Sequence, residues 1–318
     1  MEHNTSDIND VRPTSLGHLV GQESVKQQVS VALDAAFADQ RPMDHSMMIG
    51  PAGVGKTTVA QIIAQELATE LIEVLGQNLA GPAELNTAML SLSDKRRCLL
   101  IDECHEIPKR QQTALLLALD QKKIVFQGLN GFQAIKLPNF CLMLATTDPQ
   151  SLIAPLVDRM RLVLRFRHYT EPELAQVVCQ RSRALGWDVH EAVLPEIARR
   201  GRGTPRAALR ILLAARRCAR AEGETTIRLD HLRKACKMES IDDLGLGPTE
   251  QEYLRILADG TTRLNVAASM LGLAPTVVSR TIEPFLLRVG LIVKDDQGRR
   301  QLTAIGRERA SRTCPETV

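Results

Sequence analysis

The 318 residues predict an α/β fold: a parallel sheet with helices on both faces, then an all-α segment, then three helices and a two-stranded hairpin. Three observations lead there. Short apolar runs, HSMMIG (45–50), RCLLID (97–102) and FCLMLATT (140–147), alternate with stretches of helical periodicity, as strands buried on both faces do. From Glu171 to about Ile241 the apolar spacing is helical throughout. The C-terminal stretch gives three helical segments and then GLIVKDDQGRRQLTAIG, two apolar segments around a polar turn.

In chain order, residues 1–10 are polar and acidic and are expected to be a disordered tail. The α/β domain spans 11–168. Its first helix, 23–39, carries Val25, Val29, Leu33 and Ala36 on one face. The strand at 45–50 runs into a Gly-rich turn, and TTVAQIIAQELA (57–68) reads as an amphipathic helix. KKIVFQGLNGFQAIKL (122–137) alternates apolar residues about Gly-Leu-Asn-Gly, a hairpin that interrupts the α/β alternation. The helical segment occupies 169–242. DDLGLGP (242–248) has the glycines and proline of a linker. Residues 243–318 then read as a winged helix.

Composition narrows the classes. With 44% apolar residues a core of this size is attainable, and a net charge of +3 confines any basic surface to local clusters. Seven cysteines, odd in number and without a C-x-x-C pair, support neither a zinc ribbon nor a disulfide framework. Reduced thiols, a polar N-terminus and no membrane-length apolar run point to a cytoplasmic protein without a membrane partner. Aromatics, at 3%, are too scarce for a platform that stacks single-stranded bases.

GPAGVGKT (50–57) fits G-x-x-x-x-G-K-[ST], with a strand before it and a helix after it. Gly50, Gly53 and Gly55 let the backbone curl. The N–H groups of the loop, Val54 included, and of the helix start at Lys56, Thr57 and Thr58 then face a phosphate chain. Lys56 reaches the β- and γ-phosphates of ATP, and the Thr57 hydroxyl ligates Mg²⁺.

Such a site needs a carboxylate on a neighbouring strand, and CLLIDE supplies it. Asp102 is expected to hold Mg²⁺ through water, and Glu103 to orient the attacking water. The tetrapeptide DECH also occurs in two-lobed helicases, but those need a second α/β domain that this chain lacks. Cys104 and His105 as metal ligands is the weaker reading, because adjacent residues rarely meet one ion and no matching pair lies elsewhere.

LATTD ends the third strand, and Thr147, preferred over Thr146, is expected to meet the γ-phosphate or its water. In APLVDRMR (154–161), Arg159 is the candidate arginine finger, delivered in trans to a neighbouring subunit's γ-phosphate. In RGRGTPRAALR (200–210), Thr204 and Pro205 start a helix, so Arg206 lies in its first turn, where a cation opposes the dipole. An anion should offset that, and ATP phosphate of the same subunit is the natural one.

Taken together, RPTSLGHLVGQESVKQQ, DHSMMIGPAGVGKTTVAQIIAQEL, LLIDECHEIP, LATTD with APLVDR, EIARRGRGTPRAALR and EPFLLRVGLI resemble the AAA+ ATPases, and among them the RuvB family of branch-migration motors, over roughly residues 11–310. The resemblance implies a hexameric ring with ATP between subunits, a helical lid, and a winged helix on DNA. By family position Thr147 is sensor 1, Arg159 the finger and Arg206 sensor 2, while Leu19 and Val20 touch the adenine. A RuvA-like partner is implied at the hairpin, which here is shorter and less charged than the family's. The wing tip reads Asp-Asp-Gln-Gly-Arg-Arg in place of a more basic turn, leaving Arg299 and Arg300, with Arg280 in the helix 275–290, to meet backbone phosphate.

Two functions compete. One is an ATP-driven DNA motor that migrates four-way (Holliday) junctions in recombination and repair. The other is an ATP-switched DNA-binding or assembly factor that does not translocate, a reading motivated by the altered hairpin and wing. A further AAA+ loader or remodelling ATPase would need the winged helix to dock on protein.

Overall fold

In the computed structural model, which describes residues 11–128 and 131–312, seven strands precede the helical segment. They are β1 (Ser46–Ile49), β2 (Leu71–Leu75), β3 (Cys98–Asp102), β4 (Lys123–Gly128), β5 (Gly131–Lys136), β6 (Cys141–Thr146) and β7 (Leu162–Arg165). Five of them form one all-parallel sheet in the order β2-β3-β6-β1-β7. The three expected strands are its centre and are almost wholly buried. The two edge strands escaped the sequence reading for a physical reason. Residues of β2 are half-buried or exposed, and β7 lies in a run where arginines flank the apolar residues, so neither shows a continuous apolar stretch. β4 and β5 pair separately as the expected hairpin, and its tip at 129–130 lies outside the described residues, as does the tail at 1–10.

Helices α1 (Glu23–Ala38), α2 (Lys56–Glu66), α3 (Pro82–Leu90), α4 (Lys109–Gln121) and the short α5 (Ala154–Val157) accompany this sheet. One core joins Leu99 and Ile101 of β3 and Leu142 and Leu144 of β6 to Leu115 of α4 and Leu156 of α5, all fully buried. α4 and α5 are therefore anchored to the same strands that end in the acidic pair and in LATTD. α6 (Glu171–Ala184) begins with a capping box, in which Thr170 and Glu173 satisfy each other's backbone N–H groups. Arg167 grips the same Glu173 with two bonds, of 2.9 and 2.5 Å, which hold its carboxyl down to about 2.

Chain contacts divide the molecule into two compact units, one reaching to Gly186 with Gly203–Arg206, the other made of Trp187–Arg202 with Ala207 onward. The second contains α7 (Val193–Arg200), most of α8 (Pro205–Ala221) and α9 (Leu229–Met238). The expected all-helical segment also includes a two-residue parallel ladder, β8 (Asp188–Val189) with β9 (Thr226–Ile227), tied by a 2.5 Å bond from Thr226 to Asp188.

The remainder of that unit is a winged helix. α10 (Pro248–Ala258) and α11 (Leu264–Met270) precede a helical stretch built of α12 (Pro275–Val277), a five-residue π-helical turn (Val278–Ile282) and α13 (Glu283–Arg288). Pro284 has no N–H to give the preceding turn, and the wider π turn accommodates it. β10 (Ile292–Lys294) and β11 (Arg300–Leu302) form the wing, Thr262 bridges Arg300 as a third strand segment, and α14 (Ala304–Arg312) closes the domain. Tyr253, Leu254, Val278, Leu286 and Leu291 are among its buried core.

Candidate active site

The phosphate loop joins β1 to α2, and its glycines are demanded by geometry. Gly53 and Gly55 have φ of +76° and +99°, a region L side chains rarely adopt. A Cβ on Gly50 would lie 2.7 Å from the Phe166 carbonyl oxygen, so β1 can end against β7 only with glycine there. Val54 is buried, and Thr57 and Thr58 lie in the first turn of α2.

Lys56 is almost fully buried, and its Nζ donates to the carbonyls of Gly50 (2.8 Å) and Pro51 (3.0 Å). Burial pushes the ammonium pKa down, against the opposing pull of the Glu103 and Asp102 carboxylates. Neutral carbonyls are weaker acceptors than phosphate oxygens, so a triphosphate can replace them. Thr57 donates to Asp102 Oδ2 (2.9 Å). A hydroxyl and a carboxylate meeting at the end of a phosphate loop are hard oxygen donors, and they fit Mg²⁺.

Glu103 takes φ +48° and ψ +46°, a left-handed conformation uncommon for a side-chain-bearing residue. That turn separates the two carboxylates, leaving Asp102 at Thr57 while Glu103 meets two other groups. Thr147 Oγ1 donates to Glu103 Oε2 (3.4 Å), and His105 Nδ1 lies 3.3 Å from the same oxygen. Gly76, which sequence reasoning missed, makes room for the turn, since a Cβ there would lie 2.4 Å from the Glu103 carbonyl oxygen.

Thr146 and Thr147 have different surroundings. Thr146 is fully buried, accepting from the Asp148 N–H (2.9 Å) and lying 3.1 Å from His105 Nδ1, whereas Thr147 is exposed beside Glu103. Cys104 is fully buried, and desolvation pushes its thiol up to about 12. Among the described residues the side chains close enough to share an ion are Glu222, Glu224 and His231, not Cys104 and His105, so the metal reading of that pair gains no support.

Arg206 lies against the phosphate loop. A Cβ on Gly53 would approach Arg206 Cβ at 3.0 Å and its Nε at 3.7 Å, so the guanidinium stem crosses the glycine face of the loop. Leu19 and Val20 are buried just before Gln22, whose side-chain amide pairs with the Arg167 backbone in both directions (2.7 and 3.1 Å). Tyr169 is a second residue the motifs did not reveal. It is buried, its hydroxyl lies 3.8 Å from a Cβ built on Gly55, and burial pushes its phenol up to about 12. Only the tertiary fold brings it to the loop.

Arg159 follows α5 and is bound to Asp120 at the end of α4, through Nε (2.6 Å) and Nη2 (3.1 Å).

The wing separates the expected DNA contacts. Arg300 does not stand at the tip. Its side chain is 11% exposed and binds the fully buried Glu283 through Nε (2.6 Å) and Nη2 (3.1 Å). Tyr253 (2.8 Å) and Lys294 (3.1 Å) bind the same carboxylate. Burial alone would raise Glu283, but these three partners outweigh it and hold it below its ordinary value. Arg300 is therefore reassigned as a core cation, because a buried carboxylate requires a partner. Arg299 remains at the tip, where Asp295 Oδ1 accepts from the N–H groups of Gln297 (2.9 Å) and Arg299 (2.7 Å), so Asp295 builds the turn. Arg280 lies in the π turn.

Three consecutive segments of the chain, together spanning residues 11–309, resemble known protein domains. Residues 11–166 match the family profile of the Holliday junction DNA helicase RuvB P-loop domain, 169–242 that of the RuvB AAA lid domain, and 243–309 that of the RuvB C-terminal winged helix domain. The chain is 33% identical over 297 residues to the Holliday junction branch migration complex subunit RuvB 2 of a Synechococcus species, covering 91% of this chain and 80% of that protein. It is 33% identical over 301 residues to the corresponding RuvB subunit of Rubrobacter xylanophilus, covering 92% and 84%. The structure of the Thermotoga maritima RuvB Holliday junction branch migration motor superposes with a TM-score of 0.83 at 30% identity, covering 96% of this chain and 99% of that one. The phosphate loop, the acidic pair at the end of β3, the lid and the winged helix all fall within these matches, and the chain belongs to the RuvB family of AAA+ ATPases.

Proposed function

We propose that this chain is an ATP-driven DNA motor of the RuvB type, which hydrolyses ATP between the subunits of a hexameric ring and so drives branch migration of four-way junctions. The observation that carries the reading is the separation of roles at the acidic pair, Asp102 with Thr57 and Glu103 with Thr147. A protein that only bound nucleotide would need the first pairing and not the second.

The chemistry follows from these side chains. The loop N–H groups and Lys56 hold the triphosphate, and Leu19 and Val20 give the adenine an apolar wall. Thr57 and Asp102 would hold Mg²⁺, which would neutralise phosphate charge. Glu103 accepts a hydrogen bond from water and aims it along the line of attack, with Thr147 fixing the carboxylate. Arg206 senses the γ-phosphate from the start of α8, and its release at hydrolysis acts directly on that helix. Arg159 is supplied to the neighbouring subunit's site, which its pairing with Asp120 in place of its own phosphate loop supports. In the winged helix, Arg299 and Arg280 meet backbone phosphate, a contact that orients without reading sequence.

The test is ATP turnover with and without a synthetic four-way junction. DNA-stimulated turnover, abolished by Glu103→Gln and falling steeply with salt, is expected. Brisk turnover without junction migration, with or without a RuvA-like partner, would instead favour the ATP-switched assembly factor.

A further inference from the structure

We propose that Asp120 is a positioning residue for the arginine that this subunit presents to its neighbour; the inference rests on the reading of Arg159 as a finger acting in trans.

A guanidinium has two edges able to make a pair of parallel bonds. Asp120 occupies the side-on edge, Nε and Nη2, at 2.6 and 3.1 Å. The end-on edge, Nη1 with the outer hydrogen of Nη2, is not used by Asp120 and suits a second planar or tetrahedral oxyanion. The fork fixes the plane of the group, so the remaining edge has a defined direction before any phosphate arrives. An exposed arginine without such a partner samples many rotamers, and each would have to be given up on reaching the transition state.

Both ends of the pair stand on anchored backbone. Leu119 precedes Asp120 and is buried in the core that also contains Leu156 and Met160, which flank the arginine segment. The Arg159 N–H bonds the Leu156 carbonyl (3.2 Å). The two side chains nevertheless remain about half exposed, 38% for Asp120 and 48% for Arg159, so the pair faces outward. Surface ion pairs contribute little to stability in general. A bidentate pair held on two rigid supports at the surface is better explained by what it aims than by what it stabilises. Its neighbours are also charged: Arg161 and Asp44 lie in the adjoining cleft, so removing one carboxylate leaves the face more basic without emptying it.

Four variants, each purified at full length, separate the alternatives: Asp120→Ala, Asp120→Glu, Arg159→Ala and Lys56→Ala, the last with a disabled site of its own and an intact finger. Alone, Asp120→Ala is expected to bind ATP as the wild type does and to lose ten-fold or more in kcat with KM little changed, with Asp120→Glu recovering part of the loss. Mixed with Lys56→Ala subunits, Arg159→Ala should regain turnover, because its intact sites then face intact fingers. Asp120→Ala should regain it in the same mixing experiment. Recovery with Arg159→Ala but none with Asp120→Ala overturns the proposal, as does an Asp120→Ala protein that turns over at or above the wild-type rate. Absence of recovery in the Arg159→Ala mixture would overturn the trans reading itself, and the proposal with it.

Discussion

Lys56 is a buried cation and Arg300 a nearly buried one, yet their partners differ in kind. Lys56 rests on two neutral carbonyls of its own loop, while Arg300 is forked onto a carboxylate that no solvent reaches. The first arrangement is exchangeable, since a triphosphate offers stronger acceptors than a carbonyl does. The second is locked, because moving Arg300 to DNA would take from the buried Glu283 its two-bond partner and leave it only the half-exposed Lys294 as a cation. A buried cation therefore marks a ligand site when its partners are replaceable and a structural site when they are not.

The largest effect is expected at the active site. Glu103→Gln should lower kcat by about 10²–10⁴-fold while ATP remains bound, measured by steady-state turnover and nucleotide titration. Next in size are the two cations themselves. Glu283→Ala leaves Arg300 and Lys294 facing each other beneath the wing without their carboxylate and should cost about 3–5 kcal/mol in the stability of the winged helix, read from urea denaturation, while Arg300→Ala, which leaves Lys294 on Glu283, should cost less but still more than about 1 kcal/mol. Lys56→Ala removes a charge whose burial is itself unfavourable, so the stability of its unit should change by no more than about 1 kcal/mol while turnover is lost. If Lys56→Ala unfolds the protein and Arg300→Ala leaves it untouched, the contrast fails.

These two regions also differ in how much of them could be read from sequence. In the phosphate loop, residue spacing encodes backbone geometry: glycines at positive φ, a lysine at the start of a helix, carboxylates at a strand end. Those residues meet as the motifs predict. In the wing, Arg299 and Arg300 are adjacent in sequence and equivalent in charge, and only the pleat of β11 and the position of Glu283 on α13 tell them apart. Glu283 gave no local signal, because an acidic residue before proline in a helical stretch reads as exposed. Tyr169, Gln22 and Gly76 were illegible for the same reason, each reaching the site across the fold. The sheet follows suit, its central strands evident from apolar runs and its edges hidden by mixed ones.

A smaller effect sharpens the wing assignment. Arg299→Ala should leave stability unchanged, weaken duplex binding several-fold and lower the slope of log affinity against log salt by about 1, measured by titrations at several salt concentrations. The smallest concerns Glu173. Its folded carboxyl lies at about 2, below the ordinary 4.5, so the stability it contributes is present above the ordinary carboxylate range and is lost as pH falls through about 2. Acid titrations of the wild type and Glu173→Gln should differ above about pH 4.5 and converge as pH approaches 2.

Migration of a synthetic four-way junction by the wild-type and Glu103→Gln proteins, followed side by side with ATP, tests the central claim most directly. Migration by the wild type that stops in the variant, although the variant still binds ATP and junction, is the predicted result. Migration that persists in the variant, or a wild type that hydrolyses ATP briskly and leaves the junction unmoved, would contradict it.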